Sequence, residues 1–310
     1  MENVKDSSDL LAALSDGMAD AVEKVSESVV RVNGRRRRPA SGVVYARNAV
    51  LTASHVLERE EDLSVVTADG RTLPAQFVGR DASSDLAVLS VEGLDVEAAA
   101  PAEGEPRIGQ LALAVGSPGR GEGSRASLGV VSSVGGPMRT WRGPRLERYI
   151  QTDATPYPGF SGGPLVDAEG RVVGMNSSGV SRQLELTVPA TTVSRIADEL
   201  FEKGRVTRGF IGVGLHPVPL PEAWRRTLTT PAEVGLMVLS VQPDGPAAQA
   251  GVMLGDVLVA LDGTSVHESD DVQRLVSSRR VGATLVATIL RAGSPMEVRI
   301  TVGERPSGRR

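Results

Sequence analysis

The spacing of apolar positions changes several times along the 310 residues. Near the N-terminus Leu10, Leu11, Leu14, Met18, Val22 and Val25 recur at intervals of three and four, the period of one helix face, with Ser7, Ser8 or Asp9 placed to cap it. From Ser28 the period shortens toward two, and Gly, Pro, Asp or Asn interrupts it about every ten residues. The stretches at 29–33, 41–46, 49–53, 63–68, 73–80 and 86–91 read as successive strands, and those at 110–117, 127–134, 148–153, 163–167, 171–176 and 184–190 continue the series. So many short strands without alternating helices predict closed or stacked antiparallel sheets rather than βαβ units.

A helical period returns at Thr191–Lys203, with Val193, Ile196, Ala197, Leu200 and Phe201 on one face and Gly204 as the stop. Beyond it lie a strand candidate at 209–215, a proline-rich loop at 216–223 and a strand at 235–242. Short helices at 246–250 and 270–280 and further strands at 255–266, 283–293 and 297–302 follow. The chain is thus predicted to be mainly β over 1–205 and mixed α+β over 206–304, with a basic tail at 305–310.

Composition narrows the functional classes. There is no cysteine, which excludes disulfides and thiolate metal sites. A net charge of -4 gives no global attraction to nucleic acid or anionic membrane, so neither is expected as a partner. No apolar run reaches the length of a membrane-spanning helix. The acidic start MENVKDSSD lacks the basic region of a secretion signal, so the expected location is cytoplasmic. The arginine run at 35–38 sits between two strand candidates and reads as a solvated hairpin tip, with an anion-binding patch as the alternative.

The candidate chemistry centres on Tyr157-Pro158-Gly159-Phe160-Ser161-Gly162-Gly163-Pro164. Glycines around a serine permit a tight turn whose backbone N–H groups converge on one point, the geometry needed to stabilise an oxyanion. A hydroxyl nucleophile also needs a base. Of three histidines, only His55 lies in the first part of the chain, directly after a strand candidate; His216 and His267 lie in the second. Asp85, at the opening of an apolar strand, is the carboxylate best placed to orient that imidazole. Asp69 and Asp81 sit in polar turns where solvated carboxylates are expected, and Asp153 is the remaining rival. The order His55, Asp85, Ser161 is that of chymotrypsin-like enzymes.

The segments SGVVYARNAVLTASHVL, DLAVLSVEG, QTDATPYPGFSGGPLVDAEGRVVGMN and PDGPAAQAGVMLGDVLVALDG resemble the HtrA/Deg family of serine proteases over nearly the whole chain. The resemblance implies a trypsin-like double six-stranded β-barrel with an N-terminal helix, followed by one PDZ domain. It implies His55 as base, Asp85 as orienting carboxylate and Ser161 as nucleophile. The oxyanion hole falls in the Gly159–Phe160–Ser161 loop, and no cofactor or metal is required. The activity implied is ATP-independent cleavage of unfolded or damaged polypeptides, with peptide C-termini bound by the PDZ domain. Gly209, Phe210, Ile211, Gly212 and Val213 resemble its carboxylate-binding loop, and Val272, Leu275 and Val276 form the facing wall.

Departures from the family pattern carry their own expectations. Tyr157 and Phe160 place two rings beside the serine, which predicts a narrowed cleft. They motivate an alternative function, a peptide-binding chaperone or adaptor with a dormant protease domain. No acidic residue stands out as a pocket floor, so small aliphatic side chains are expected at the cleaved position, with Leu184 and Leu186 lining the pocket. Relatives commonly form trimers through aromatic N-terminal contacts. The first 40 residues here contain no aromatic, so a homotrimer is expected from resemblance and a monomer is the alternative.

Overall fold

The computed structural model describes residues 7–36, 38–117, 123–140, 145–181, 185–207, 209–229, 231–277 and 279–304. The chain forms two compact units, Met1–Val206 and Thr207–Arg310, and the main sheets of the first close on themselves as barrels.

The unit begins with helix α1 (Ser7–Ser26). Met18, Ala21, Val22 and Val25 pack against Val29, Leu113, Val115 and Val166, so the second half of the predicted stripe is a core face. Leu10, Leu11 and Leu14 are exposed, because the stripe continues past the surface it covers.

Strands β1 (Val29–Asn33), β2 (Ala40–Ala46), β3 (Ala49–Ala53), β4 (Leu63–Val66), β5 (Thr72–Asp81) and β6 (Leu86–Ser90) close a barrel in the order β1-β2-β3-β6-β5-β4. Strands β7 (Leu111–Gly116) and β8 (Arg125–Gly135) open the second barrel. A short hairpin follows, β9 (Met138–Arg139) with β10 (Arg145–Leu146), which the hydropathy pattern does not reveal. Strands β11 (Tyr149–Thr152), β12 (Pro164–Val166), β13 (Val172–Ser177) and β14 (Leu186–Pro189) then complete the order β11-β14-β13-β12-β7-β8. Closure removes the unpaired edges that would otherwise template aggregation. Branched aliphatics fill the interiors, among them Val30, Val32, Val44, Val50, Leu51, Leu86 and Leu89 in the first barrel. With so few aromatics, β-branched packing carries the core.

Helix α2 (Ala190–Lys203) buries Val193, Ile196, Ala197 and Leu200 and ends at Gly204, whose φ of 69° lets its N–H reach the Leu200 carbonyl at 2.7 Å. Phe201, expected on the same face, is instead exposed.

In the second unit β15 (Gly209–Phe210) pairs with the chain end, and β16 (Val213–Pro219) forms the edge of a larger sheet. The predicted single strand is broken at Ile211–Gly212 because Gly212 adopts a φ of +79°. Conversely, the prolines expected to form a loop lie within β16, where Pro217 and Pro219 face Leu236 and Val234 of β17 (Val234–Val241). An edge strand tolerates residues that cannot donate a ladder hydrogen bond. Helices α3 (Glu222–Arg225) and α4 (Pro246–Gln249), strands β18 (Val257–Leu261) and β19 (Thr264–Ser265), helix α5 (Ser269–Ser277) and strands β20 (Thr284–Arg291), β21 (Ser294–Thr301) and β22 (Gly303–Glu304) complete it. Sheet order is β16-β17-β18-β20-β21, with β19 on β18 and β22 on β15. Among the described residues no helix is long and apolar enough to cross a membrane.

Candidate active site

Strand register brings the distant residues of the first unit together. Ala53 of β3 faces Leu86 of β6, so the residues that follow and precede them meet at one barrel end, where the Ser54 N–H donates to the Asp85 carbonyl at 2.7 Å. A single 3-10 turn, Ser54–Val56, then presents His55. The His55 Nδ1 lies 2.5 Å from Asp85 Oδ2, and the His55 backbone N–H donates to Asp85 Oδ1 at 2.8 Å. Asp85 is buried and holds a φ of +56°, a left-handed conformation that costs about 1 kcal/mol or more outside glycine and must be imposed by its surroundings.

Part of that restraint comes from Asp81. Its carboxylate accepts from the Ser84 N–H and hydroxyl at 3.1 and 2.8 Å and from the Ser83 hydroxyl at 3.1 Å. Sequence logic expects a solvated turn carboxylate there, yet Asp81 is buried. Its short side chain folds back onto its own turn and fixes the approach to Asp85. Asp153, the rival orienting acid, accepts instead from the Val130 N–H at 2.6 Å.

Ser161 lies in the loop between β11 and β12. Pro164 of β12 faces Met175 of β13, and the pairing extends outward through Asn176 N–H to the Gly163 carbonyl and Gly162 N–H to the Asn176 carbonyl, both at 2.9 Å. Residues 177–179 are thereby set beside the serine. The Ser177 hydroxyl donates to Asp85 Oδ2 at 2.5 Å and accepts from the Gly179 N–H at 2.9 Å. Gly179 roofs the His–Asp pair so closely that a Cβ there would stand 2.4 Å from Asp85 Oδ2 and 2.5 Å from His55 Nδ1.

Ser161 and His55 do not hydrogen-bond directly. Ser178 stands between them, its Oγ 3.0 Å from Ser161 Oγ and 3.3 Å from His55 Nε2, while its N–H donates to Ser161 Oγ at 3.3 Å. With the Nδ1 proton given to Asp85, Nε2 accepts, so the hydroxyl chain runs from Ser161 through Ser178 to the imidazole.

The Gly159 backbone has a φ of +98°, and its carbonyl accepts from the Ser41 hydroxyl at 2.8 Å. Phe160 N–H closes a turn on the Tyr157 carbonyl at 2.9 Å, so it is spent within the loop. The Gly159 and Ser161 N–H groups have no acceptor among the described residues. Ser41 also donates its N–H to the Ser161 carbonyl at 3.2 Å and accepts from the Ser117 N–H at 2.9 Å, tying the loop to both barrels.

The expectation that two rings narrow the cleft fails for Phe160. Its side chain is buried with Ala112, Ala114, Ile150 and Leu165. The absence of a Cβ at Gly116 admits it; one would lie 2.8 Å from the ring. Tyr157 meets it edge-on, centroids 5.5 Å apart, and is half exposed.

Beside Ser161 lies a cavity of about 290 Å³, walled by Thr152, Ala154, Pro158, Ser178, Glu185 and Leu186 among others. Leu186 takes its expected place there, while Leu184 lies outside the described residues. Glu185 corrects the expectation of a pocket without acid: it is the one charged residue in the described wall, and burial raises its carboxyl above the usual range. Sequence reasoning also missed Ser41, Ser177, Ser178 and Gly179; the NSSG string following the strand that pairs with the serine loop was the available signal.

In the second unit, Phe210 pairs with Gly303, and the Ile211 and Gly212 N–H groups find no acceptor among the described residues. Beside the open edge of β16 lies α5, its Ser269 hydroxyl on the Leu215 carbonyl at 3.3 Å. Ile211, Val272 and Val276 are buried in the core, whereas Val213, Leu215 and Leu275 are partly open.

Comparison with known proteins follows the same division. Residues 40–175 match the family model of the trypsin-like peptidase domain and residues 209–302 that of the PDZ domain. A probable periplasmic serine endoprotease, DegP-like, of Brucella suis is 34% identical over 285 residues, 88% of this chain and 54% of that protein. The serine protease Do-like HtrA of Lactobacillus helveticus is 32% identical over 278 residues, 84% and 67% of the two chains. Among solved structures, the serine endoprotease of Yersinia pestis superposes with a TM-score of 0.75 at 29% identity, covering 93% of this chain and 98% of its own. An HtrA-type protease, AlgW, with a bound decapeptide gives 0.76 at 27%, covering 94% and 99%. The chain spans about half the length of most of the curated relatives it matches.

Relatives from Brucella, Halomonas and Pseudomonas are named periplasmic, which overturns the cytoplasmic expectation. That expectation rested on the acidic first residues, and the helix that follows them is part of the packed fold, where its apolar stripe reports on burial rather than address. Barrel closure, the convergent His, Asp and Ser and these similarities together show that the chain belongs to the HtrA family of serine endoproteases.

Proposed function

We propose that this chain is an ATP-independent endopeptidase that cleaves unfolded polypeptides in the periplasm, its protease domain spanning 1–205 and its PDZ domain 206–304. The observation that carries the reading is the convergence of His55 on the buried Asp85, a serine one hydroxyl away, and two backbone N–H groups in the same loop without an acceptor among the described residues.

In this mechanism Asp85 and Ser177 hold the imidazole in the tautomer whose Nε2 accepts a proton. Rotation of the Ser178 hydroxyl lets Ser161 donate to Nε2 directly. The Ser161 oxygen then attacks the peptide carbonyl, whose developing charge is met by the Gly159 and Ser161 N–H groups. His55 returns the proton to the leaving amine, and a water activated by the same base hydrolyses the acyl-enzyme. In the second unit, the Ile211 and Gly212 N–H groups, without an acceptor among the described residues, support capture of a terminal carboxylate, and the edge of β16 beside α5 supports addition of a peptide strand.

The dormant-adaptor alternative drew its support from crowding by two rings; the burial of Phe160 takes one of them away, while Tyr157 still walls the cavity beside Ser161. Incubation with casein is the test: the wild-type chain degrades it and Ser161→Ala does not. Equal cleavage by both proteins refutes the reading. Light scattering decides whether the working form is the trimer common among relatives.

A further inference from the structure

Arg35 and Arg36, in the turn between β1 and β2, play no part in the reaction so far described, yet they line a large cavity of the first unit. That cavity, about 800 Å³, is walled by Arg31, Arg35, Arg36, Pro39, Asp69 and Ser117 among others. Asp69 is engaged by Arg71 at 2.7 Å and by the Thr67 hydroxyl. Arg35 is part-buried, and neither it nor Arg36 has a hydrogen bond or ion pair among the described residues. Burial pushes the Arg35 guanidinium below its usual range, with Glu58 and Asp85 pulling it back. A guanidinium that loses water without gaining an acceptor is costly, and a carboxylate in the cavity would supply one.

The position of the turn says which part of a substrate would reach it. At one end the Gly34 carbonyl accepts from the Glu58 N–H at 3.0 Å, folding the turn against the segment that carries His55. At the other end Ser41 donates its N–H to the Ser161 carbonyl. The turn therefore bridges the base and the nucleophile. The cavity beside Ser161, walled by Asn176, Ser177, Ser178 and residues 185–187 among others, shares no lining residue with the arginine cavity. An acyl group held in that second cavity sends its leaving amine toward His55, and hence along the arginine turn.

We infer that Arg35 and Arg36 form a subsite for acidic side chains on the C-terminal side of the scissile bond, so that this protease favours substrates with Asp or Glu shortly after the cleaved position. The inference rests on the proposed peptidase activity. Two fluorogenic peptides differing only by Glu or Gln at the second and third positions after the scissile bond test it. The expected kcat/KM ratio is about ten-fold or more in favour of Glu at low salt, from charge-assisted pairing. It falls as salt rises, and it falls toward unity in Arg35→Gln/Arg36→Gln. Arg36→Gln alone, at an exposed position, gives an intermediate ratio if the double variant fails to fold. An equal rate for both peptides in the wild-type chain overturns the inference, as does a Glu preference unchanged in the arginine variants. Binding of anionic vesicles that is abolished in the same variants, without any peptide preference, would reassign the patch to a lipid surface and also overturn it. Labelling of Ser161 by a fluorophosphonate separates the two failures: a labelled protein without the preference refutes only the subsite, and an unlabelled one refutes the peptidase reading.

Discussion

Replacing Ser178 with alanine tests how the proton path is wired. In the resting geometry Ser178 accepts from Ser161 at 3.0 Å and donates to His55 Nε2 at 3.3 Å. A direct Ser161–His55 contact requires both bonds to break and one to form in their place. The net loss is about one neutral hydrogen bond, roughly 1 kcal/mol with a range of about 0.5–1.5, which corresponds to a rate lower by about five-fold, between about two- and twelve-fold. Ser178→Ala removes the interposed hydroxyl but keeps the backbone N–H that donates to Ser161 Oγ. We expect it to react with a fluorophosphonate about five times faster than the wild-type chain, with an unchanged melting temperature. Single-turnover labelling followed by quenched-flow mass measurement reads this directly. A ten-fold fall in labelling would refute the reasoning, because Ser178 would then be a relay that the proton must cross.

Three further outcomes follow from packing and charge. Phe160→Ala deletes a fully buried ring and should cost about 3–5 kcal/mol, lowering the melting temperature of the first unit by about 6–20 °C, whereas Tyr157→Ala, half exposed, should cost about 1 kcal/mol; similar losses in calorimetry would contradict the burial of Phe160. Glu185 should favour a basic side chain at the cleaved position; because burial raises its carboxyl, that preference should fade with falling pH above the ordinary Glu range of about 4.3, and a peptide library profiled from pH 7 to 5 with no such drift refutes it. In the second unit Asp256 is buried; desolvation works against its charge, but Arg291, with contacts of 2.8 Å, and the Met253 N–H prevail and hold its carboxyl low. A depressed folded value stabilises above the unfolded value of about 3.9 and loses that contribution as pH falls through the folded one. Calorimetry should therefore show the second transition falling steeply only in strong acid. Asp256→Asn should cost about 3–5 kcal/mol at pH 7 and flatten the acid limb; a variant with an unshifted transition counts against the pair.

Much of the fold was legible because period and position carry it. The alternation at 29–91 and 110–190 marks strands, and a glycine stop marks the end of α2. His55 and Asp85 were legible since each adjoins an apolar strand whose register a reader can extend. What escaped the sequence depended on direction rather than type. Nothing in PGFSG says that the phenyl ring turns inward over Gly116, or that the Phe160 N–H is consumed by its own turn. Glu185 read as one residue of a strand candidate at 184–190, and only the return of the chain beside Ser161 makes it a pocket wall. The prolines of β16 read as a loop because their tolerance there depends on the strand lying at an edge, which is a property of the sheet.

Ser41 bears on when this molecule becomes dangerous to other chains. It belongs to the first barrel, but its hydroxyl and N–H hold the Gly159 and Ser161 carbonyls, and the end of β7 hangs on the same oxygen. Synthesis delivers His55 and Asp85 early, and they remain uncovered until Ser177 and Gly179 emerge and fold back over them. No half of the protein can therefore assemble a competent centre alone. We expect a chain ending before residue 157 to be inert toward unfolded neighbours, even when supplied with the missing part as an unfolded peptide. Proteolytic power in this design is a late-arriving property of the closed pair of barrels, and the interval before closure protects the growing chain from itself.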